Sequence, residues 1–332
     1  MTPSTDDLRN AMNDLARTTD PLDPDSVLRS GKRRRSRRRA TAAAGAAVAL
    51  IAVTGGIFAL RPGGDDSMVV GGGRAIQDLD NSLTGLDAGN YAFTRTGAYM
   101  RTDIVRAQID VADGYLVEYS NKLSLMRAAN VTYLKPSGGG TYSGPGILEQ
   151  LKNAGLSDAE ADRYAASIAQ LDGTRWLRVD QQRLVKTAEV DEQSSLDYVA
   201  PAPTTRKPDI TGADALIEAV TTAERKGDTV TGTLDATKVD DGLGLVIGEP
   251  ESYYGPSATS MTYRATLDGQ GRLASFTLNL PGTLASQAPD SEPEPPLIIT
   301  ITQYDGVEAP PAPPSAENIT ELTYDLLARD ND

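Results

Sequence analysis

The stretch MTYRATLDGQGRLASFTLNL, residues 261–280, decides the fold class of this chain. Two runs of alternating polarity, Met261–Leu267 and Leu273–Leu280, stand on either side of the turn sequence DGQG at residues 268–271. Alternation with a period of two is the pattern of a half-buried β-strand. Glycine takes the positive φ values that a tight turn between two strands requires. The stretch therefore predicts a β-hairpin with Phe276, Leu278 and Leu280 on one face of its second strand.

Runs of the same kind recur in the chain after residue 75. Each is short, rich in β-branched or aromatic residues, and bounded by residues that favour turns, as strands of an antiparallel sheet usually are. With the hairpin they make nine predicted strands: Asn90–Met100, Ile104–Ala112, Tyr115–Ser120, Ala129–Lys135, Thr174–Asp180, Thr229–Ala236, Met261–Leu267, Leu273–Leu280 and Leu297–Tyr304. Residues 75–332 are therefore predicted to form one β-rich domain.

Three helices are predicted between or after these strands. The first begins at a capping box, residues 157–160, the second near Thr211, and the third near Ser315 after a proline-rich stretch. Each has apolar residues at helical spacing, so each can bury one side against the sheet. These residues are Ala161, Tyr164, Ala165, Ile168 and Leu171 in the first helix, Leu216, Ala219, Val220 and Ala223 in the second, and Ile319, Leu322 and Leu326 in the third. The predicted fold class is α+β.

A basic run followed by an uncharged apolar segment marks the N-terminal part of the chain. The apolar segment, residues 40–60, has 21 residues. At about 1.5 Å per residue this length is enough to cross a hydrocarbon core about 30 Å thick. Basic residues next to a span stay on the cytoplasmic side, so the N-terminus is predicted to be inside the cell and the C-terminal domain outside it. The basic residues that give this topology signal are Lys32, Arg33, Arg34, Arg35, Arg37, Arg38 and Arg39.

This pattern predicts four parts in a single-pass protein of the cell membrane. Residues 1–39 form a short cytoplasmic tail, 40–60 a transmembrane helix, 61–74 a flexible linker, and 75–332 an extracytoplasmic domain. The alternative for residues 40–60 is a cleaved secretory signal. The 39 residues ahead of the apolar segment exceed the about 15–30 residues of an entire signal peptide, which favours a retained anchor.

Charge and composition exclude several classes of function. Residues 1–39 carry a net charge of +4, whereas residues 62–332 carry −19, and so acidic a domain is a poor partner for nucleic acid. The chain has no cysteine and no histidine. Disulfides, thiolate nucleophiles, Cys/His zinc sites and Ser-His-Asp triads are therefore excluded, as is a lipid-modified cysteine. No catalytic residue, cofactor or metal site is predicted, so the chain is not expected to be an enzyme.

The order of several short segments resembles that of a known family, the LolA-like, LppX/LprG-type lipoproteins of actinobacteria. The segments are Asn130–Lys135, Gly173–Asp180, Thr229–Leu234, Tyr263–Asp268 with Gly271–Leu273, and Gln303–Val307. The resemblance covers roughly residues 90–327. It implies a curved antiparallel half-barrel with helices packed in its concave face, and several such proteins shelter lipid acyl chains between the two layers. Members of this family usually carry an acylated cysteine, which the predicted membrane span replaces here.

These observations predict a membrane-anchored extracytoplasmic protein that binds or senses a lipid or another apolar ligand of the cell envelope. The candidates for lining a ligand cavity are Trp176, Phe276, Leu278, Leu280, Ile299 and Ile301. An alternative from a different class is a regulatory protein, in which the cytoplasmic tail docks a transcription or signalling partner and the outer domain acts as a sensor.

Overall fold

The computed structural model describes residues 69–97, 104–120, 123–136, 147–184, 202–239, 250–282 and 294–327. The chain divides into two compact units. One unit contains Met1–Asp66 and Leu148–Asp158, and within its described part Lys152 Nζ lies 3.0 Å from the Asp158 carboxylate. The other unit contains Ser67–Ile147 and Ala159–Asp332 and carries every described strand. The predicted tail and membrane span, residues 1–60, lie outside the described residues.

The described part of the chain contains thirteen strands in one sheet. They are β1 Val69–Gly71, β2 Asn90–Thr96, β3 Ile104–Asp110, β4 Gly114–Tyr119, β5 Ser124–Ala128, β6 Val131–Lys135, β7 Trp176–Val179, β8 Val220–Lys226, β9 Thr229–Leu234, β10 Met261–Leu267, β11 Leu273–Leu278, β12 Leu297–Tyr304 and β13 Ala316–Asn318. The helices are α1 Gly73–Ser82, α2 Thr84–Asp87, α3 Ile147–Asn153, α4 Asp158–Gln170, α5 Ala213–Glu218, α6 Pro250–Tyr254 and α7 Glu321–Leu327. The predicted α+β class is confirmed.

The sheet is curved and antiparallel, and its two end strands do not pair with each other within the described residues. Its spatial order is β1-β8-β9-β10-β11-β12-β2-β3-β4-β5-β6-β7-β13. Only the last pair, β13 with β7, is parallel among these strands. Strands β2 to β7 follow one another in sequence order, and so do β8 to β12, since consecutive strands of a chain usually lie side by side. The two series meet where β12 pairs with β2, for example at Ile301 and Phe93.

The hairpin predicted from residues 261–280 is present. β10 and β11 pair antiparallel, with Tyr263 opposite Leu278 and Ala265 opposite Phe276. The Asp268 carboxylate accepts hydrogen bonds from the backbone N–H groups of Gln270 and Arg272, at 2.8 and 2.9 Å. Gly271 has a φ of 79°, which explains why glycine stands at this position of the turn.

One face of the sheet, here named the inner face, carries the main apolar cluster. Because side chains alternate along a strand, one residue in two points to this face. Buried examples in neighbouring strands are Phe93, Ala107, Val117, Leu125, Leu134 and Leu177, and in the other series Val230, Ala265, Phe276 and Ile299. Residues of α1, α2, α5 and α7 belong to the same cluster, so these elements cover the inner face.

A proline-rich segment, residues 305–315 and here named the outer strap, crosses the opposite face. Asn90 of β2 binds its start, since the Asn90 side chain accepts from Val307 N at 2.8 Å and donates to Val307 O at 3.0 Å. Farther along, Ala309 lies over Gly114 of β4. Ala316, just after the strap, packs on a small outer cluster of Met126, Ala128 and Tyr133. The chain then forms β13 and enters α7 on the inner face.

The structure corrects three predictions. Residues 211–223 do not form one helix, since α5 ends at Glu218 and Val220–Lys226 is a strand paired with β9. Pairing on both sides of β8 outweighs the helical spacing of Val220 and Ala223, and Thr221 and Thr222 are β-branched residues that favour strands. The helix predicted from Ser315 begins only at Glu321, because β13 comes first. Val69–Gly71, placed in the linker by the sequence, pairs with β8.

Among the described residues, no helix has the length and apolar character that a membrane crossing needs.

Candidate functional site

Four of the six residues predicted to line a cavity belong to the main apolar cluster, namely Phe276, Leu278, Leu280 and Ile299, and half-buried Ile301 packs against it. Phe276 stands opposite Ile299 in the sheet, and its ring stacks on that of Tyr263 with the centroids 5.2 Å apart. Trp176 is apart from them, because it packs half-buried against the small outer cluster. Contact of these side chains with a ligand stays a prediction.

A charged side chain stands on the same inner face. Arg95 follows Tyr91 and Phe93 at every second position of β2, so the strand turns its side chain toward the apolar cluster, and only 4% of Arg95 is exposed. Its nearest partner across the β12 pairing is the fully buried Ile299. One guanidinium nitrogen, Nη1, donates to the backbone oxygen of Thr211 at 3.3 Å. The sheet therefore holds a positive charge among apolar residues.

A tyrosine hydroxyl lies close to this charge. Tyr119 ends β4 opposite Ile104, where β3 has an irregular register, and its side chain is buried. The hydroxyl has no hydrogen-bond partner among the residues that the structure describes. Burial raises the pKa of Tyr119, the nearby Tyr115 raises it further, and the positive charge of Arg95 opposes both effects. The hydroxyl therefore stays protonated at neutral pH and is available as a donor.

The loop of residues 202–212 covers this part of the inner face. Tyr91 binds it at two points, because its hydroxyl donates to Pro208 O at 2.7 Å and accepts from Ile210 N at 3.1 Å. Arg95 adds a third attachment at Thr211. Burial raises the pKa of the Tyr91 hydroxyl well above its ordinary value, and the neighbouring Asp209 adds to this effect. Tyr91 thus remains a neutral donor and acceptor that fixes the loop.

Asp209 is a buried carboxyl group in the same loop. It accepts hydrogen bonds from Thr211 N at 2.7 Å and from Asp214 N at 3.4 Å. Burial, together with the charge of Asp214, raises the pKa of Asp209 from 3.8 to about 6. The backbone N–H groups act in the opposite direction but do not cancel the burial effect. A carboxyl group with this pKa changes charge just below neutral pH.

The arrangement is suited to binding. The protonated Tyr119 hydroxyl donates a hydrogen bond, so it suits an oxygen acceptor. The surrounding apolar side chains suit the hydrocarbon part of a ligand. Within the described ranges, no group of histidine, cysteine, aspartate and glutamate residues is arranged to hold a metal ion.

The cavity residues predicted from the sequence do not include Arg95 and Tyr119, although the sequence carries a signal for Arg95. They fall on the inward positions of the predicted strands Asn90–Met100 and Tyr115–Ser120. A charged residue at a position where alternation requires an apolar one is informative, because buried charges are rare unless they have a specific role. Asp209 has no such signal, since its burial depends on the attachment of its loop to Tyr91.

Comparisons with known proteins give a weak structural similarity. No protein-family model matches the chain, and no curated protein sequence matches it. Among solved structures, the chain is similar to the crystal structure of the Mycobacterium tuberculosis lipoprotein LppX, with a TM-score of 0.31 and 11% identity over 71% of this chain and 98% of that chain. Values this low establish no shared family.

Proposed function

We propose that the domain of residues 75–332 binds a lipid or another apolar ligand of the cell envelope on the inner face of its sheet, without catalysing a reaction. The observation that carries the proposal is the way this face is covered. Within the described residues, a wide apolar surface lies under short helices and the loop of residues 202–212, and every strand belongs to one sheet. Such a layer is fixed to the sheet at separate points and has short elements that can part from it to admit a ligand.

The attachments of the covering layer support this proposal. The loop is held by the Tyr91 hydroxyl and by Arg95, so a small displacement of residues 208–211 would expose apolar surface next to Phe93 and Ile299. Ligand sites in proteins typically combine apolar walls with a few buried polar groups. The sequence resemblance of residues 90–327 to lipid-sheltering lipoproteins points to the same class of ligand.

The proposal also covers how the domain is anchored in the cell membrane. We propose that residues 40–60 anchor the chain in the cell membrane with the N-terminus in the cytoplasm, since a basic run next to an apolar segment is the usual pattern of such an anchor. The acidic domain then faces the envelope and has no role with nucleic acid. The cytoplasmic tail remains free in this arrangement to contact a protein partner.

One membrane preparation tests both the proposed anchor and the proposed ligand. Membranes of the host are washed with alkaline carbonate, and the full chain is then extracted in a maltoside detergent and analysed by native mass spectrometry beside a delipidated sample. We expect the chain to stay in the washed membranes and to carry a reproducible adduct of lipid mass. A chain that washes off contradicts the anchor. A bare chain that also refuses added phospholipid and triacylglycerol contradicts the ligand.

A further inference from the structure

The loop of residues 202–212 carries a buried carboxyl group at the point where it is attached to the sheet. Asp209 is only 4% exposed. Its two neighbours in the chain are both bound to the Tyr91 hydroxyl, which donates to Pro208 O at 2.7 Å and accepts from Ile210 N at 3.1 Å. The Ile210 side chain belongs to the main apolar cluster. The loop therefore cannot leave the inner face without also bringing Asp209 into water.

The groups around Asp209 are neutral or negative. The carboxyl group accepts from Thr211 N at 2.7 Å and from Asp214 N at 3.4 Å, so a second acidic residue, on α5, lies beside it. Tyr91 of β2 and Tyr304 of β12 are close enough to feel its charge, and burial raises the pKa of both, which keeps them protonated. These groups favour the protonated form of Asp209.

The positive side chains around the loop lie in solvent or in other interactions. Within the part of the chain that the structure describes, none of them forms an ion pair with Asp209. They are Arg206 and Lys207, which are exposed on the loop, Arg95 of β2, which donates to Thr211 O at 3.3 Å, and Arg272, which pairs with Asp268 and Asp305. A buried carboxylate without such a pair is costly, whereas the same carboxylate in water is not.

We propose that the loop of residues 202–212 is a pH-dependent lid over the inner face, closed while the Asp209 carboxyl group is protonated and released when that group ionises. This inference rests on the proposed function, to which it adds control over ligand entry. On opening, the carboxyl group loses its proton to solvent and Ile210 leaves the apolar cluster. Tyr91 and Arg95 stay on β2, so the loop can bind again when the proton returns.

The direction and size of the effect follow from the two states of Asp209. Its pKa is about 6 in the closed loop, against 3.8 in water. Closing is therefore most favourable at acidic pH and weakens as the pH rises to about 6. Between about pH 5 and about pH 7.5 the equilibrium constant for opening should rise about tenfold.

Hydrogen exchange of the full chain in a maltoside detergent tests the lid at these two pH values, with each rate corrected for intrinsic exchange. The peptide of residues 208–211 reports on the loop, and that of residues 261–267 reports on unfolding of the sheet. The test variant is Asp209→Asn, which keeps an acceptor for Thr211 N but does not titrate. The matched control is Asp113→Asn, which removes the charge of an exposed aspartate.

We expect loop opening to rise about tenfold with pH in the wild type and in Asp113→Asn, and to be the same at both pH values in Asp209→Asn. Loop protection in the wild type that does not change with pH overturns the lid. So does a loop that exchanges only as fast as residues 261–267, because it then opens only when the whole sheet unfolds.

A second measurement separates the lid from the proposed function. The association rate of oleyl alcohol, which carries no charge at either pH, is measured with the delipidated full chain. It should rise with pH in the wild type and not in Asp209→Asn. Equal rates at both pH values in a wild type whose loop opens overturn the role of the loop in ligand entry. A chain that binds no oleyl alcohol at either pH contradicts the proposed function, while loop opening is decided by hydrogen exchange alone.

Discussion

Asp209 makes the stability of the domain depend on pH in an unusual direction. Its pKa is raised from 3.8 to about 6 in the folded chain, mainly by burial. Between these two values the folded chain holds a proton that the unfolded chain has released. The contribution of Asp209 to stability is therefore most favourable below the unfolded pKa and falls as the pH rises through the folded pKa, by about 3 kcal/mol in total.

Asp209→Asn is the variant that isolates this effect. Asparagine keeps an oxygen that accepts from Thr211 N, now 2.7 Å from Asp209, but it does not titrate. Urea unfolding of both proteins at about pH 4 and about pH 7.5 should show the wild type losing about 2 kcal/mol relative to the variant as the pH rises, because part of the total is already lost at pH 4, just above the unfolded pKa. A stability difference that is the same at both pH values, or that changes in the opposite sense, would show that the carboxyl group is not buried in this way.

The surroundings of some residues follow from the sequence pattern, whereas those of others depend on strand pairing. Phe276, Leu278 and Ile299 follow from alternation alone, since a strand with one buried face places them there. Arg95 and Tyr119 lie in correctly predicted strands, yet their role depends on what lies opposite them across β3 and β12. The pairing of Arg95 with Ile299 joins residues far apart in the chain, and no local pattern specifies it.

At the scale of elements, β8 and β9 show how close the backbones of two strands approach. Gly232 of β9 stands opposite Ala223, and a Cβ added there would lie 1.9 Å from Thr222 O. That oxygen also accepts the hydrogen bond of Tyr263. A side chain at residue 232 must therefore displace the β8 backbone and break a contact on the inner face.

Gly232→Ala should lower the free energy of unfolding by about 1–3 kcal/mol, which is the usual cost of adding atoms to a site that is already filled. Gly269→Ala is the matched control, because an added Cβ there has nothing within 4 Å, and it should change stability by less than about 1 kcal/mol. The midpoints of urea unfolding give both values. Equal midpoints for the two variants would contradict the close approach of β8 and β9.

The elements themselves were predictable to different degrees. β10 and β12 have the predicted bounds, and α4 follows the predicted capping box, because strong local patterns agree with the fold there. β5 was missed, since Ser124–Ala128 has little alternation of its own and is held as a strand by pairing on both sides. β13 was missed for a similar reason, because three residues become a strand only by lying beside β7.

For the whole molecule, the sheet order is the part that the sequence did not reveal. β12 lies next to β2 and β1 next to β8, and both pairings join distant parts of the chain. The outer strap adds a third long-range connection, from Asn90 on β2 to the edge at β7. These contacts come from burying one apolar face under a common layer, which is a property of the complete domain.

Tryptophan fluorescence can show on which face of the sheet a ligand binds, because a single tryptophan can be placed on either face. Trp176 is the single tryptophan of the chain and packs on the outer face, whereas half-buried Ile301 belongs to the inner face. A fatty acid brominated at mid-chain quenches tryptophan fluorescence only at short range. The measurement compares the delipidated full-length wild type with the double variant Trp176→Phe/Ile301→Trp, each titrated with this fatty acid.

Binding on the inner face predicts strong, saturable quenching of the tryptophan introduced at residue 301 and little quenching of Trp176 in the wild type, with the unbrominated fatty acid as the control for both. The opposite result, in which Trp176 is quenched and the introduced tryptophan is not, would place the ligand on the outer face and contradict the proposed function.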